Sequence, residues 1–116
     1  MNSKDDLVFL EHILDSINAI ESFSKGLTKE NLISNRLKQS AIVREIEIIG
    51  EAVKNISESL KESHREVEWK DIVGARDKMI HHYFGVDLNI VWGIIIEDLP
   101  TLKKQIIKIK NNLEKN

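Results

Sequence analysis

Cysteine is absent from the 116-residue chain, which excludes a disulfide framework and a thiolate zinc site. The same absence fits a reducing compartment, and a cytoplasmic location is the expectation. Proline occurs once and glycine five times, so there is little to break long helices. Aromatic residues are sparse, at 5 % of the chain, and Trp69 and Trp92 read as core anchors rather than as platforms for stacking bases. The longest apolar run, Ile90 to Ile96, is too short to span a bilayer, so no membrane partner is expected. Residues Met1 to Asp6 lack the basic-then-apolar pattern of a signal peptide. A net charge of −2 with 41 % hydrophobic residues excludes intrinsic disorder. What remains is a single globular domain over residues 1–116.

Charge is unevenly spread. Residues 1–63 carry 8 basic and 11 acidic side chains, residues 64–100 carry 4 and 7, and residues 101–116 carry 5 and 1. The basic C-terminal stretch either attracts phosphate-bearing ligands or is a solvated helix face whose lysines suit a C-terminal end.

The apolar pattern predicts an all-α chain. A first helix runs from about Lys4 to Lys25, with Ser3 and Asp6 as a capping box and Gly26 just past its end. Leu7, Leu10, Leu14 and Ile17 form its apolar stripe. Thr28 caps a short turn through Ile33. Asn35 caps a second long helix extending to about Ser63, along which Ile42, Ile46, Ile49, Val53, Ile56 and Leu60 form a heptad seam. Ala41, Ile48 and Ala52 widen that seam. It serves either one broad core or a core together with a subunit contact through Ile42, Ile49 and Ile56.

Residues 64–69 form a loop anchored by Trp69. A third helix runs from about Lys70 to His81 or His82 and is broken by Gly85. Asp87 caps a fourth helix through Glu97; helix is preferred to strand for Ile90–Ile96 because no partner strand is evident. A final helix from about Asp98 to Leu113 takes Pro100 in its first turn.

One stretch concentrates chemistry: Arg76-Asp77-Lys78-Met79-Ile80-His81-His82-Tyr83. Arg braces a phosphate through parallel hydrogen bonds, His moves protons near neutrality, and Tyr accepts a transferred group. On an ideal helix at about 100° per residue, His81 lies roughly 140° from Arg76, and Tyr83 within about 20° of it. The three converge only if the helix unwinds near His82 or a second subunit contributes. Asp77 and His81, four apart, share a helix face, where Asp77 orients the imidazole. A metal site lacks a third ligand at suitable spacing, since His12 and His64 are isolated.

These residues resemble a known family. Arg76, His81 and Tyr83 match the R-x4-H-x-Y motif of the HepT-like (DUF86) branch of the HEPN superfamily. Ile48-Ile49-Gly50-Glu51-Ala52 is similar to its I-I-G-E-A signature, and Trp69, Ile72, Gly74 and Arg76 to its W-x-x-I-x-G-x-R segment. Val86-Asp87, Ile90-Val91-Trp92 and Leu99-Pro100 match later positions, so the likeness covers nearly the whole chain in order.

The resemblance implies an up-and-down bundle of four to five main helices assembled as a homodimer. It implies a metal-independent ribonuclease toxin without a cofactor of its own, and RNA as substrate. It further implies a cognate minimal nucleotidyltransferase (MntA-like) antitoxin that uses ATP to place AMP on a tyrosine. Carried onto this chain, Arg76 and His81 are catalytic and Tyr83 is the AMP acceptor. Asp77 and Glu51 are supporting residues, and His82, at a variable position, takes no role. The alternatives are a non-catalytic nucleotide- or RNA-binding partner of a nucleotidyltransferase, and a plain helical bundle whose motif caps a helix. The slightly acidic body sits uneasily with an RNA substrate, which leaves the basic tail or a dimer cleft to focus positive potential.

Overall fold

The computed structural model describes residues 3–81 and 85–115; the side chains of residues 3, 4 and 81 are outside that description. The elements are α1 (Ser3–Ser24), α2 (Lys29–Ser34), α3 (Arg36–Lys54), α4 (Glu58–Ser63), α5 (Trp69–Met79), β1 (Ile80–His81), β2 (Gly85–Val86), α6 (Leu88–Gly93) and α7 (Leu99–Lys115). The five-residue π-helical segment Ile94–Asp98 links α6 to α7. The chain is an all-α bundle, as its pattern predicts.

Burial of one aliphatic face from each long helix drives the assembly. Leu10, Ile13, Ile17 and Ile20 of α1 meet Ile42, Ile46, Ile49 and Val53 of α3, with Leu102, Ile106 and Ile109 of α7 closing the core. Helix α3 packs against α1 on one side and α5 on the other. The heptad seam is therefore filled within the protomer: Ile42, Ile49 and Ile56 are all buried in their own chain. They are not available to the subunit contact that the seam allowed.

Local chemistry sets many boundaries. Thr28 Oγ1 accepts from the Asn31 N–H at 3.1 Å and Asn35 Oδ1 from that of Lys38 at 3.0 Å. Asp87 Oδ1 caps α6 through the N–H groups of Asn89 and Ile90. Gly26, at φ +72°, ends α1 in the left-handed region that glycine enters freely.

Three boundaries differ from the sequence reading. The second long helix stops at Lys54 rather than running to Ser63. The Asn55 and Ile56 N–H groups tighten onto carbonyls three residues back, and Ser57 starts α4. The stop is fixed from outside the helix. Asp6 of α1, only 4 % exposed, accepts hydrogen bonds from the Ser57 N–H at 2.8 Å and hydroxyl at 2.7 Å. Asp6 thus serves a distant helix start, while Ser3, its expected partner, has a side chain outside the described residues. The seam survives this break, because Ile56 and Leu60 remain buried.

The fourth and final helices are not separated. The axis continues through the π segment, where the Leu99 N–H reaches the Ile94 carbonyl five residues back. Pro100 has no N–H to offer its own turn, and the widened turn before it accommodates that loss. The third departure, at the end of α5, belongs to the candidate site.

Candidate active site

Helix α5 is fixed at its start by Trp69, which is buried and donates its indole N–H to the His64 carbonyl at 2.9 Å. It then runs antiparallel to α3. The backbones come close at Gly50, where an added Cβ would lie 3.5 Å from the Ile72 carbonyl oxygen. One turn further along α5, the Arg76 Nε donates to Glu47 Oε2 at 2.8 Å. The arginine side chain is 57 % exposed and the glutamate 28 %. A pair this exposed contributes no more than about 1 kcal/mol to stability. Its geometric effect matters more. The Nε contact orients the guanidinium and leaves its terminal amino groups unengaged among the described residues.

The helix ends at Met79, not at His81 or His82. Ile80 is extended (φ −107°, ψ 116°) although its N–H still reaches the Arg76 carbonyl. Ile80 pairs with Val86 and His81 with Gly85 in an antiparallel ladder, and the Asp87 N–H donates to the Met79 carbonyl at 2.6 Å. These cross-strand bonds replace the next helical ones, and Gly85, at φ +75°, takes up the conformation a side chain would resist. Unwinding therefore occurs two to three residues before His82, where the sequence reading needed it. His81 stands on a short strand leaving the helix that bears Arg76.

The helix face that Asp77 and His81 were to share ends at Met79. Asp77 is exposed and makes no ion pair among the described residues. Glu51 is also exposed and pairs with Lys54 of its own helix at 3.2 Å, not with Arg76. Sequence reasoning missed Glu47. Its one signal was a carboxylate a turn before Glu51 on the same face of α3. Tyr83 and His82 lie outside the described residues, as does the His81 side chain.

A cavity of about 490 Å³ opens on another side of α5, lined by Ile72, Ala75, Ile90 and Ile94, with Glu66, Glu68, Asp71, Glu97 and Asp98 around it. Arg76 does not line it. The Asp98 carboxyl is raised above its ordinary range. Burial raises it most, Glu97 adds to the rise, Lys78 pulls it back, and Asp71 pushes it up again. Such a rim repels phosphate. Among the described residues no three His, Asp or Glu side chains cluster so as to hold a metal ion. His64 instead contacts Glu66 at 3.3 Å, and His12 stands edge-on to Phe9.

The basic C-terminal stretch, read either as a phosphate-attracting tail or as a solvated helix face, runs away from Arg76. Lys103 is bound to Glu21 near the end of α1, at 2.7 Å, and the later lysines follow α7 towards the start of α1. No helix among the described residues is long and apolar enough to cross a membrane.

Comparison with known proteins bears on this arrangement. The family model described as Ribonuclease HepT-like matches residues 13–109. A protein of Methanocaldococcus jannaschii named "Gamma-glutamylcyclotransferase and putative RNase" is 42 % identical over 97 % of this chain. This chain spans only about half of that relative, 51 % of its length. A "Putative RNase" of Caldanaerobacter subterraneus subsp. tengcongensis is 44 % identical, over 87 % of this chain and 90 % of the relative. The "Probable ribonuclease HepT" of Thermococcus cleftensis is 40 % identical, over 88 % and 93 %. No solved structure matches the chain. By the extent of the family match and of these identities, the chain belongs to the ribonuclease HepT-like family.

Proposed function

We propose that the protein is an endoribonuclease whose catalytic pair is Arg76 and His81. The observation that carries this reading is the Arg76–Glu47 contact beside the helix-to-strand junction. It holds a permanent cation by one edge, ready for a phosphate, five residues from an imidazole on a separate backbone element. RNA brings its own nucleophile, the 2′-hydroxyl. His81 takes that proton or supplies one to the leaving 5′-oxygen, and Arg76 stabilises the charge that grows on the phosphoryl oxygens. The reaction needs no metal and leaves a 2′,3′-cyclic phosphate.

In this reading the site is completed by a second copy of the chain. An arginine more than half exposed in one protomer works in water, where its effect on a transition state is weak; a dimer cleft would exclude that water. Regulation follows the same logic. The toxin is held silent in the cytoplasm by a cognate nucleotidyltransferase antitoxin. The Tyr83 hydroxyl attacks the α-phosphorus of ATP, pyrophosphate leaves, and the attached AMP occupies Arg76 and repels RNA.

The test is RNA cleavage by wild type and His81→Ala, with analysis of product ends. Cleavage that vanishes in a variant that melts like wild type, with cyclic phosphate on the wild-type products, agrees with the reading. Products bearing 3′-hydroxyl and 5′-phosphate, or undiminished cleavage by the variant, overturn it. For the regulatory step, incubation with the antitoxin and ATP should add whole AMP units to wild type and none to Tyr83→Phe.

A further inference from the structure

A second concavity, of about 380 Å³, lies where the α1–α2 turn meets the start of α3, and is lined by Lys25, Arg36 and Lys38 with Asn31, Ser34 and Asn35. No carboxylate lines it. None of the three cations has an ion-pair partner among the described residues. Across residues 25–38 the chain carries four cations and one carboxylate, against an overall net charge of −2. Cations crowded into one dent repel each other, and an anion relieves that repulsion.

The walls are held in place. Gly26, at φ +72°, turns the chain just after Lys25, and the Leu27 N–H closes that turn on the Ser24 carbonyl at 2.9 Å. Gln39 donates its amide to the Leu32 and Ile33 carbonyls at 2.8 and 3.0 Å, tying the end of α2 to α3. Ile33 and Leu37, 55 % and 81 % exposed, stand beside the cations as bare apolar surface.

The concavity also lies at the right end of the bundle. Because α5 runs antiparallel to α3, with Gly50 at Ile72 and Glu47 at Arg76, the start of α3 lies beyond the end of α5, where β1 and β2 begin. Arg36 and Glu47 are eleven residues apart, which puts them within about 20° on one face of α3 and roughly 16 Å apart along it. Arg44, exposed and without an ion pair among the described residues, lies between them along the axis, about 80° round from Arg36.

We propose that the Lys25–Arg36–Lys38 concavity is a subsite for the sugar-phosphate backbone of single-stranded RNA, a few nucleotides from the bond cleaved at Arg76 and His81. The proposal rests on the ribonuclease reading and extends it. Phosphates in the subsite set affinity and register without reading bases. The chain thereby gathers an RNA-binding surface despite its acidic balance, from cations of the α1–α2 turn and the start of α3.

The experiment uses the whole protein. Binding of a fluorescent single-stranded RNA is measured in a His81→Ala background, with and without the triple change Lys25→Ala/Arg36→Ala/Lys38→Ala. The triple change should weaken binding about tenfold or more and lower the slope of log affinity against log salt by about 2, from roughly 0.7 per phosphate contact. Changing Lys108 and Lys110 to Ala should alter affinity less than about twofold. With His81 intact, the triple variant should cleave a dinucleotide at the wild-type rate but show a raised KM on a long RNA. That split separates a distant subsite from a misfolded protein. Unchanged affinity and salt slope, or loss from the tail variant instead, overturns the subsite while leaving ribonuclease activity standing. A wild-type protein that neither binds nor cleaves RNA overturns both.

Discussion

On one side of α5, Arg76 reaches across to α3 and is held by Glu47 at 2.8 Å. On another, Asp71 and Lys78 face a cavity of about 490 Å³ that also carries Glu66, Glu68, Glu97 and Asp98. One short helix thus separates a surface suited to phosphate from one that repels it. A net charge cannot report such segregation, which is why the acidic balance of the chain is compatible with an RNA substrate. Cavity size is a poor guide here. The larger hollow has the wrong sign, whereas Arg76 sits more than half exposed on another face of α5.

Substitutions on the two sides sharpen that contrast. The largest effect is expected for Arg76→Ala, which should slow RNA cleavage by about 10²–10³-fold, the scale of losing one charge-stabilising donor. Lys78→Ala, two residues on but facing the cavity, should leave the rate within about twofold. Equal losses from the two would erase the distinction between the surfaces.

At the far end of the bundle, Asp6→Ala removes both hydrogen bonds to Ser57 and leaves the Ser57 N–H without its acceptor. It should cost about 2–3 kcal/mol in chemical denaturation, without slowing cleavage in protein that remains folded. Next comes Glu47→Gln. It should lower cleavage about tenfold by loosening the guanidinium, yet change stability by less than about 1 kcal/mol because the pair is partly exposed. A stability loss with no kinetic effect would make Glu47 a structural residue only.

The smallest effect concerns Asp98. Its raised folded-state affinity for protons means that the native state binds more protons than the unfolded chain just above the ordinary carboxylate range. Stability from this group therefore falls as pH rises through that window. Asp98→Asn should flatten that fall and raise stability at neutral pH by only a few tenths of a kcal/mol, since the group is mostly exposed. An unchanged pH profile would show that the acidic rim carries no strain.

What the sequence made legible was chemistry with a short reach. Thr28, Asn35 and Asp87 cap helices within three residues of themselves, and Gly26 and Trp69 mark a stop and an anchor. Periodicity also placed the buried faces, since every position of the α3 seam is in the core. The misses are contacts between residues far apart in the chain. Asp6 meets Ser57 across 51 residues and Arg76 meets Glu47 across 29; neither partner is implied until the helices pack. The early end of α5 belongs to the same class. Gly85 signalled a break, but the ladder from Ile80–His81 to Gly85–Val86 needs both sides at once, and two residues per strand leave no visible alternation. Within the candidate site, Arg76 was identified with its environment incomplete, and Glu51 stood in for the carboxylate one turn away that the packing selects.

The central claim is that a single phosphate sits between the Arg76 guanidinium and the His81 imidazole. A crystal structure with a short RNA carrying a 2′-deoxy sugar at the cleavage position, which blocks the reaction, measures this directly. The account predicts the scissile phosphate within hydrogen-bond distance of an Arg76 terminal amino group, with Glu47 still on Nε and His81 facing the missing 2′ position. A phosphate bound away from Arg76, with His81 turned from the scissile bond, would contradict it.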